Sequence, residues 1–258
     1  MFKQIREDGY SILNVDDKYY EEFRKIAVGK ILTYGKSDSD LKIVSIEEEL
    51  DKTNICLRYC GKDYEFTSPL LGEFNVYNLC AGILALISIG YDINDIISNV
   101  GNIKVPEGRC QFLNYGQDYS IVLDYAHTPD AFSKLYDLLT KVKKNRLITV
   151  TGSAGGREHE KRPDMGKLVL DKSDYVIFTM DDPRNEDVNS IIDDLVSSSD
   201  KTNYERIIDR KEAIYKAFDM ALENDIILVA GKGTDNYMAL GNEYVPYCDL
   251  DVIKEYFD

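Results

Sequence analysis

The sequence predicts an α/β protein whose carboxyl-terminal part is a mostly parallel, doubly wound sheet. Three observations carry this. From residue 106 onward, short β-rich runs alternate with segments of helical periodicity, the order that gives a parallel sheet covered by helices. Residues 147–166 put the run Leu-Ile-Thr-Val-Thr straight into Gly152-Ser-Ala-Gly-Gly156, after which Pro163 opens an apolar-periodic segment. Proline is preset for a first helical turn, so this is strand, glycine turn, helix. Finally, four of the apparent strands end in polar or glycine clusters: Asp124-Tyr-Ala-His-Thr-Pro129, 152–157, Asp181-Asp-Pro-Arg184 and 231–235. Carboxyl ends of parallel strands share one edge, so the four clusters are expected to converge on a ligand cleft.

The elements follow in order. Residues 1–105 read as a partial α/β domain. Strands are expected at 10–15, 31–34 and 41–45, with a helix at 19–26. Strands at 55–60 and 64–67 flank Gly61-Lys-Asp63, a hairpin signal. Residues 74–90 form a buried helix rich in Ala and Leu, stopped by Gly90. Asn75 and Asn78, three apart, face one side of its first turn; capping is the competing explanation. Ile93–Val100 is a short helix with Asp92 as its N-cap. Residues 101–108 with Pro106 read as the linker, and residues 106–258 as the second domain.

In that second domain a hairpin at 110–115 and 119–124 turns across Gly116-Gln117. Helices are expected at 131–142, 163–170, 188–197 and 210–223, and strands at 147–151, 175–179, 204–208 and 226–230. A final helix spans Asp249–Phe257, with Asp249 as its N-cap.

Bulk composition narrows the function. At 258 residues, with 44% hydrophobic and 30% charged residues, the chain has the make-up of a soluble globular protein. A formal charge of -15 argues against nonspecific nucleic-acid binding and against anionic membranes. No apolar run reaches a membrane span, and residues 1–20 have no signal-peptide pattern, so a cytoplasmic protein is expected. The five cysteines are scattered and odd in number, which suits free thiols.

The cleft chemistry follows from its residue types. Arg157 and Arg184 can each hold a carboxylate through paired hydrogen bonds, and Asp181, Asp182 and Asp235 can hold ammonium groups. Both signs together suit a zwitterionic amino acid; a solvated set of ion pairs is the plain alternative. His127, beyond an apparent strand end, is a candidate for contact with phosphate or reacting groups, or a structural histidine. His159, in a charged run, reads as a surface residue. No Walker loop, no Gly-x-Gly-x-x-Gly after a strand, no Gly-x-Ser-x-Gly elbow and no His-Glu-x-x-His occurs. A ligase or transferase that works by positioning and charge neutralisation needs none of the nucleophiles.

These residues also carry a resemblance. Asp124-Tyr-Ala-His-Thr-Pro-Asp130, Gly152-x-x-Gly-x-Arg157 with Lys161-Arg-Pro-x-Met-Gly166, Asp181-Asp-Pro-Arg184, Asp209-Arg-x-Glu-Ala-Ile214 and Gly231-Lys-Gly233 resemble, in order and spacing, the Mur ligases. Within them the likeness is to the MurE-type UDP-N-acetylmuramoyl-tripeptide synthetases. Upstream, Ile12-Leu-Asn-Val-Asp-Asp17, Phe74-Asn-x-x-Asn-Leu79 and Val105-Pro-Glu-Gly-Arg109 resemble the later part of that family's central ATPase domain.

The resemblance implies a Rossmann-like, amino-acid-binding C-terminal ligase domain over 106–258, preceded by a remnant of the central domain over 1–105. It implies ATP-dependent amide ligation in peptidoglycan precursor synthesis. The carboxylate of UDP-MurNAc-L-Ala-D-Glu becomes an acyl phosphate and the amino group of a diamino acid attacks it. Asn75 and Asn78 match positions near the adenine, and Arg109 and Asp124 positions that contact ribose or phosphates. His127 matches the histidine near the transferring phosphate. Arg157, Asp182, Arg184, Gly231 and Asp235 match positions that hold the incoming amino acid. Arg184 matches the residue that binds the distal carboxylate in meso-diaminopimelate ligases, where lysine-adding relatives tend to have alanine.

Two departures stand out. The family's Asp-Asn-Pro-Arg is Asp181-Asp-Pro-Arg184 here, and its Gly-Lys-Gly-His-Glu is Gly231-Lys-Gly-Thr-Asp235. In addition, the family's phosphate loop, its Mg2+ ligands and its carbamylated lysine lie upstream of the segment matched here. The expectation is therefore no turnover by this chain alone and a separately encoded amino-terminal half as partner. The other readings are a noncatalytic amino-acid or nucleotide-binding module and a different amide ligase of the superfamily, of the folylpolyglutamate or cyanophycin type.

Overall fold

The computed structural model describes residues 4–49, 51–157 and 159–258. The chain divides into two compact units, Met1–Lys104 and Val105–Asp258.

The first unit is a five-stranded mixed sheet. Its strands are β1 (Tyr10–Asn14), β2 (Lys30–Gly35), β3 (Leu41–Glu48), β4 (Thr53–Tyr59) and β5 (Lys62–Ser68), in spatial order β1-β2-β3-β4-β5. The first three run parallel and the last three antiparallel. Helix α1 (Tyr20–Ile26) joins β1 to β2, and α2 (Glu73–Ser88) and α3 (Ile93–Val100) follow β5. In α2 the buried residues Val76, Cys80, Ile83 and Leu84 recur at helical spacing and meet Leu41, Ile43, Ile55 and Leu57 of the sheet. The β4–β5 turn is Cys60-Gly61, both at positive φ, with Tyr59 opposite Lys62. That mirror-image two-residue turn matches strand twist, so the hairpin closes one residue earlier than Gly61-Lys-Asp63 suggested. Asp92 does cap α3, accepting from the Asn94 amide.

The second unit has strands β6 (Gln111–Leu113), β7 (Ser120–Asp124), β8 (Leu147–Thr151), β9 (Tyr175–Phe178), β10 (Tyr204–Arg206) and β11 (Ile226–Ala230). Their order is β10-β9-β8-β11-β7-β6, with the first five parallel and β6 antiparallel to β7. Every residue of β8 and β11 is buried, which fits their unbroken apolar runs in a sheet covered on both faces. The connecting helices are α4 (Pro129–Val142), α5 (Arg162–Lys172), α6 (Val188–Val196) and α7 (Arg210–Asp219). Residues of α7 and of α8 (Asp249–Phe257) pack with Ile121, Leu123, Ile148, Val150, Ile177, Ile227 and Val229. On the opposite face, Tyr136 of α4 hydrogen-bonds Thr149 of β8 at 3.0 Å.

Two expectations are corrected. Asp249 does not cap α8: Cys248 holds that position, and the Asp249 carboxylate is fully buried against Arg210. A buried guanidinium is a stronger claim on a carboxylate than a helix terminus. The sequence reading also missed an antiparallel hairpin, β12 (Tyr237–Leu240) and β13 (Glu243–Pro246). Its signal was present, since Gly241-Asn242 lies between two four-residue runs.

All five cysteines are free. Among the described residues no helix is long and apolar enough to cross a membrane.

Candidate amino-acid site

Because β7, β8, β9 and β11 are parallel neighbours, the clusters that follow them leave the sheet at one edge. The glycine turn after β8 rests on the loop after β9. The Gly155 amide donates to the Asp182 carbonyl at 3.0 Å, and Arg184 Nη1 donates to the Gly155 carbonyl at 3.0 Å. A Cβ on Gly155 would lie 1.9 Å from the Pro183 carbonyl oxygen, so only glycine permits this approach. The Arg184 Cδ is 4.0 Å from a Cβ built on Gly156, the residue before Arg157. Arg157 and Arg184 thus belong to one loop cluster. Arg157 is exposed, Arg184 is half-buried, and Arg184 keeps guanidinium donors beyond the one directed at Gly155.

The aspartates differ from one another. Asp181 is buried and its carboxyl lies above the usual range, because burial disfavours the anion. One Asp181 oxygen would lie 2.2 Å from a Cβ on Gly231, so the glycine leaves that carboxyl its space. Asp182 Oδ1 accepts from Lys232 Nζ at 2.8 Å and from the Ala239 amide at 2.9 Å. Lys232 is wholly buried, with Asp235 at 3.8 Å and the Tyr237 ring at 5.2 Å. Asp182 therefore anchors the β12–β13 hairpin and neutralises a buried lysine. The same hairpin takes the Arg184 amide on the Ala239 carbonyl at 2.9 Å.

Arg162, which the sequence offered as a positive group for an acidic ligand, and Arg210, carried there only within a family motif, are instead buried internal supports, and Glu186 was not singled out at all. Buried Arg210 pairs with Asp249 through two 2.8 Å hydrogen bonds and also donates to the Ala230 carbonyl, fixing the end of β11. Burial opposes its charge, but Asp249 holds the guanidinium firmly protonated. Arg162, also buried, donates to both oxygens of Glu186, to Asp194 and to the Ala154 carbonyl. Glu186 in turn accepts from the Gly156 amide at 2.8 Å. Arg162 brings the Glu186 carboxyl down to about 2. Buried arginines announce themselves only through partners that lie far away in sequence, so composition alone does not find them.

A second group surrounds Asp124. Its carboxylate accepts from the Cys110 amide at 2.7 Å and the Ala126 amide at 2.6 Å, and its carbonyl accepts from the Gly231 amide. Burial raises this carboxyl. His127 is exposed, and its Nδ1 lies 2.7 Å from the Tyr125 carbonyl, so that nitrogen carries the proton, while Nε2 has no hydrogen-bond partner among the described residues. The Arg109 guanidinium stacks 4.8 Å from the Tyr125 ring centroid, and its donor edge forms no ion pair among the described residues. This arrangement suits an anion such as phosphate.

In the first unit, Asn75 donates to the Leu71 carbonyl at 2.7 Å, so part of its amide closes the start of α2. Asn78 is exposed and donates to Asn75 at 3.3 Å.

The sequence matches the Mur ligase middle domain over residues 1–86 and the Mur ligase glutamate ligase domain over residues 108–233. The chain belongs to the Mur ligase family.

The UDP-N-acetylmuramoyl-L-alanyl-D-glutamate–2,6-diaminopimelate ligase of Aquifex aeolicus is 38% identical over 252 residues, 96% of this chain and 51% of that protein. The UDP-N-acetylmuramyl-tripeptide synthetase of Borreliella burgdorferi is 36% identical, over 98% of this chain and 51% of its own length. A solved structure of a UDP-N-acetylmuramoyl-L-alanyl-D-glutamate–2,6-diaminopimelate ligase matches with a TM-score of 0.69 at 32% identity, covering 96% of this chain and 53% of that one. The chain spans about half the length of the curated relatives it matches.

Mur ligases are ATP-dependent, and the family implies Mg2+. Among the described residues, the group of histidine and carboxylates near enough to share a cation is His159, Glu186 and Asp194. Arg162 already donates to both carboxylates, so this cluster does not fit a divalent ion.

Proposed function

We propose that this chain carries the amino-acid-receiving part of an ATP-dependent ligase that adds meso-diaminopimelate to UDP-MurNAc-L-Ala-D-Glu. The observation that carries the reading is Arg184, held by the Gly155 carbonyl beside Arg157 at the rim where buried Asp181 lies. Two guanidinium groups suit the two carboxylates of diaminopimelate, while Asp181 and Asp235 suit its ammonium groups. Because Asp182 is engaged by Lys232, its role is to shape the pocket.

ATP, when bound, supplies the phosphoryl group that activates the acceptor carboxylate as an acyl phosphate. Arg109 offers its free donor edge to phosphate, and His127 presents Nε2 toward the reacting groups. Asp124 holds the loop that carries His127. Asn75 and Asn78 are assigned to the adenine by the family resemblance alone. Charge stabilisation and positioning are the chemistry these residues offer. The remainder of the ligase machinery belongs to the half of the relatives that this chain does not match, and we propose that turnover requires it.

Calorimetric titration with diaminopimelate, lysine and glutamate tests the reading. Diaminopimelate is expected to bind most tightly. Arg184→Ala should weaken diaminopimelate by roughly tenfold or more, the loss of a charge-assisted hydrogen-bond pair. It should leave lysine, which has no second carboxylate, nearly unchanged. Equal losses for both would overturn the assignment of Arg184 to the distal carboxylate.

A further inference from the structure

Tyr125 lies between Asp124 and His127 and belongs to neither the nucleotide nor the amino-acid positions. Its contacts reach both sets. Its hydroxyl shares a 2.8 Å hydrogen bond with Thr234 Oγ1, across 109 residues of sequence. Thr234 stands where the family has histidine, directly before Asp235, so this bond belongs to a departure of this chain. The Tyr125 ring carries the Arg109 guanidinium at 4.8 Å. Gly233 packs so close that a Cβ there would come within 2.4 Å of Cε2, and its φ of +53° further excludes a side chain. Gly108 approaches the same carbon, where a Cβ would lie at 2.8 Å. The Tyr125 carbonyl is the partner of His127 Nδ1. One residue thus joins the loop after β7, the segment before β6 and the loop after β11.

We propose that Tyr125 is a positioning residue that couples occupancy of the amino-acid site to the setting of His127 and Arg109, through its hydroxyl bond to Thr234. A ligand drawn against Asp235 pulls on Thr234. The phenol passes that displacement to residues 125–127, because the ring is pinned by Gly108 and Gly233 and cannot swing aside. This rests on the amino-acid reading of the 231–235 loop given above. Rigid packing of this kind transmits displacement, since a filled interior has no slack to absorb it.

Two measurements on the whole chain test it. The first needs no ligand. The amides of Ala126, Gly231 and Asp235 are all hydrogen-bonded, so their hydrogen exchange is readable. Thr234→Val should speed exchange at 126–128, and Tyr125→Phe should speed exchange at 231–235. Each change is expected to be about fivefold, the effect of one neutral hydrogen bond. Thr234→Ser, which keeps the hydroxyl, should restore the parent rates. Changes confined to the loop that carries the substitution, or failure of serine to restore them, would refute the coupling.

The second uses the fact that the chain has only two histidines. Adding diaminopimelate should shift the His127 imidazole resonance, which is told apart from the one other histidine, His159. In Tyr125→Phe the amino acid should still bind while the His127 shift collapses. An undiminished shift would overturn the inference. If no amino acid binds the parent chain, the proposed function fails, and the exchange rates still decide the coupling.

Discussion

The Lys232–Asp182 pair gives the sharpest stability test. Lys232→Met removes a cation that is wholly buried and leaves Asp182, only 6% exposed, with the Ala239 amide as its remaining hydrogen-bond donor. Methionine nearly conserves the volume, so the packing term is small. Breaking one side of a buried pair costs about 3–5 kcal/mol, because the survivor is an uncompensated charge. For a unit the size of residues 105–258, that lowers the melting temperature by roughly 2–4 °C per kcal/mol, or about 6–20 °C in all. The chain has no tryptophan, so far-UV circular dichroism is the suitable probe. Asp182→Asn should cost less, since an amide oxygen can still accept from both Lys232 and Ala239. Combining the two substitutions removes both charges and should recover much of the loss. If Lys232→Met costs under about 1 kcal/mol, or if the double variant loses the sum of the singles, the pair does not anchor the hairpin as described.

Two further outcomes follow from the loop geometry. Gly155→Ala places a methyl against the Pro183 carbonyl and should cost about 1–3 kcal/mol in stability. It should also weaken diaminopimelate roughly tenfold in calorimetry, because Arg184 loses its seat. Glu186 has its carboxyl lowered by the Arg162 hydrogen bonds, from 4.5 to about 2. A lowered carboxyl stabilises the fold above its unfolded value and loses that contribution as pH falls toward the folded one. Glu186→Gln should therefore be less stable than the parent near neutrality, with the gap in urea midpoint closing between about pH 5 and pH 2. A gap that stays constant through that range would remove Glu186 from the acid response.

Much of the molecule is local, and the sequence by itself determined it. Apart from the β12–β13 hairpin, the strands and helices of both units follow from periodicity, because apolar residues at spacing two or near four can be buried only as strand or helix. The convergence of four polar clusters followed from the alternation of strand and helix, since parallel strands must end together. The family was legible for the same reason, its motifs being contiguous loop tips. The tertiary structure decided what each charge does. Asp249 looked like a helix cap and is the partner of a buried arginine 39 residues away. Asp182 looked like a ligand for ammonium and is claimed by Lys232, 50 residues on. Arg162 reaches Glu186 and Asp194 across an intervening strand, and Tyr125 reaches Thr234, 109 residues on, because β7 and β11 are neighbours in the sheet. A carboxylate takes the nearest desolvated cation, and nearness in space is set by packing that no short stretch of sequence encodes.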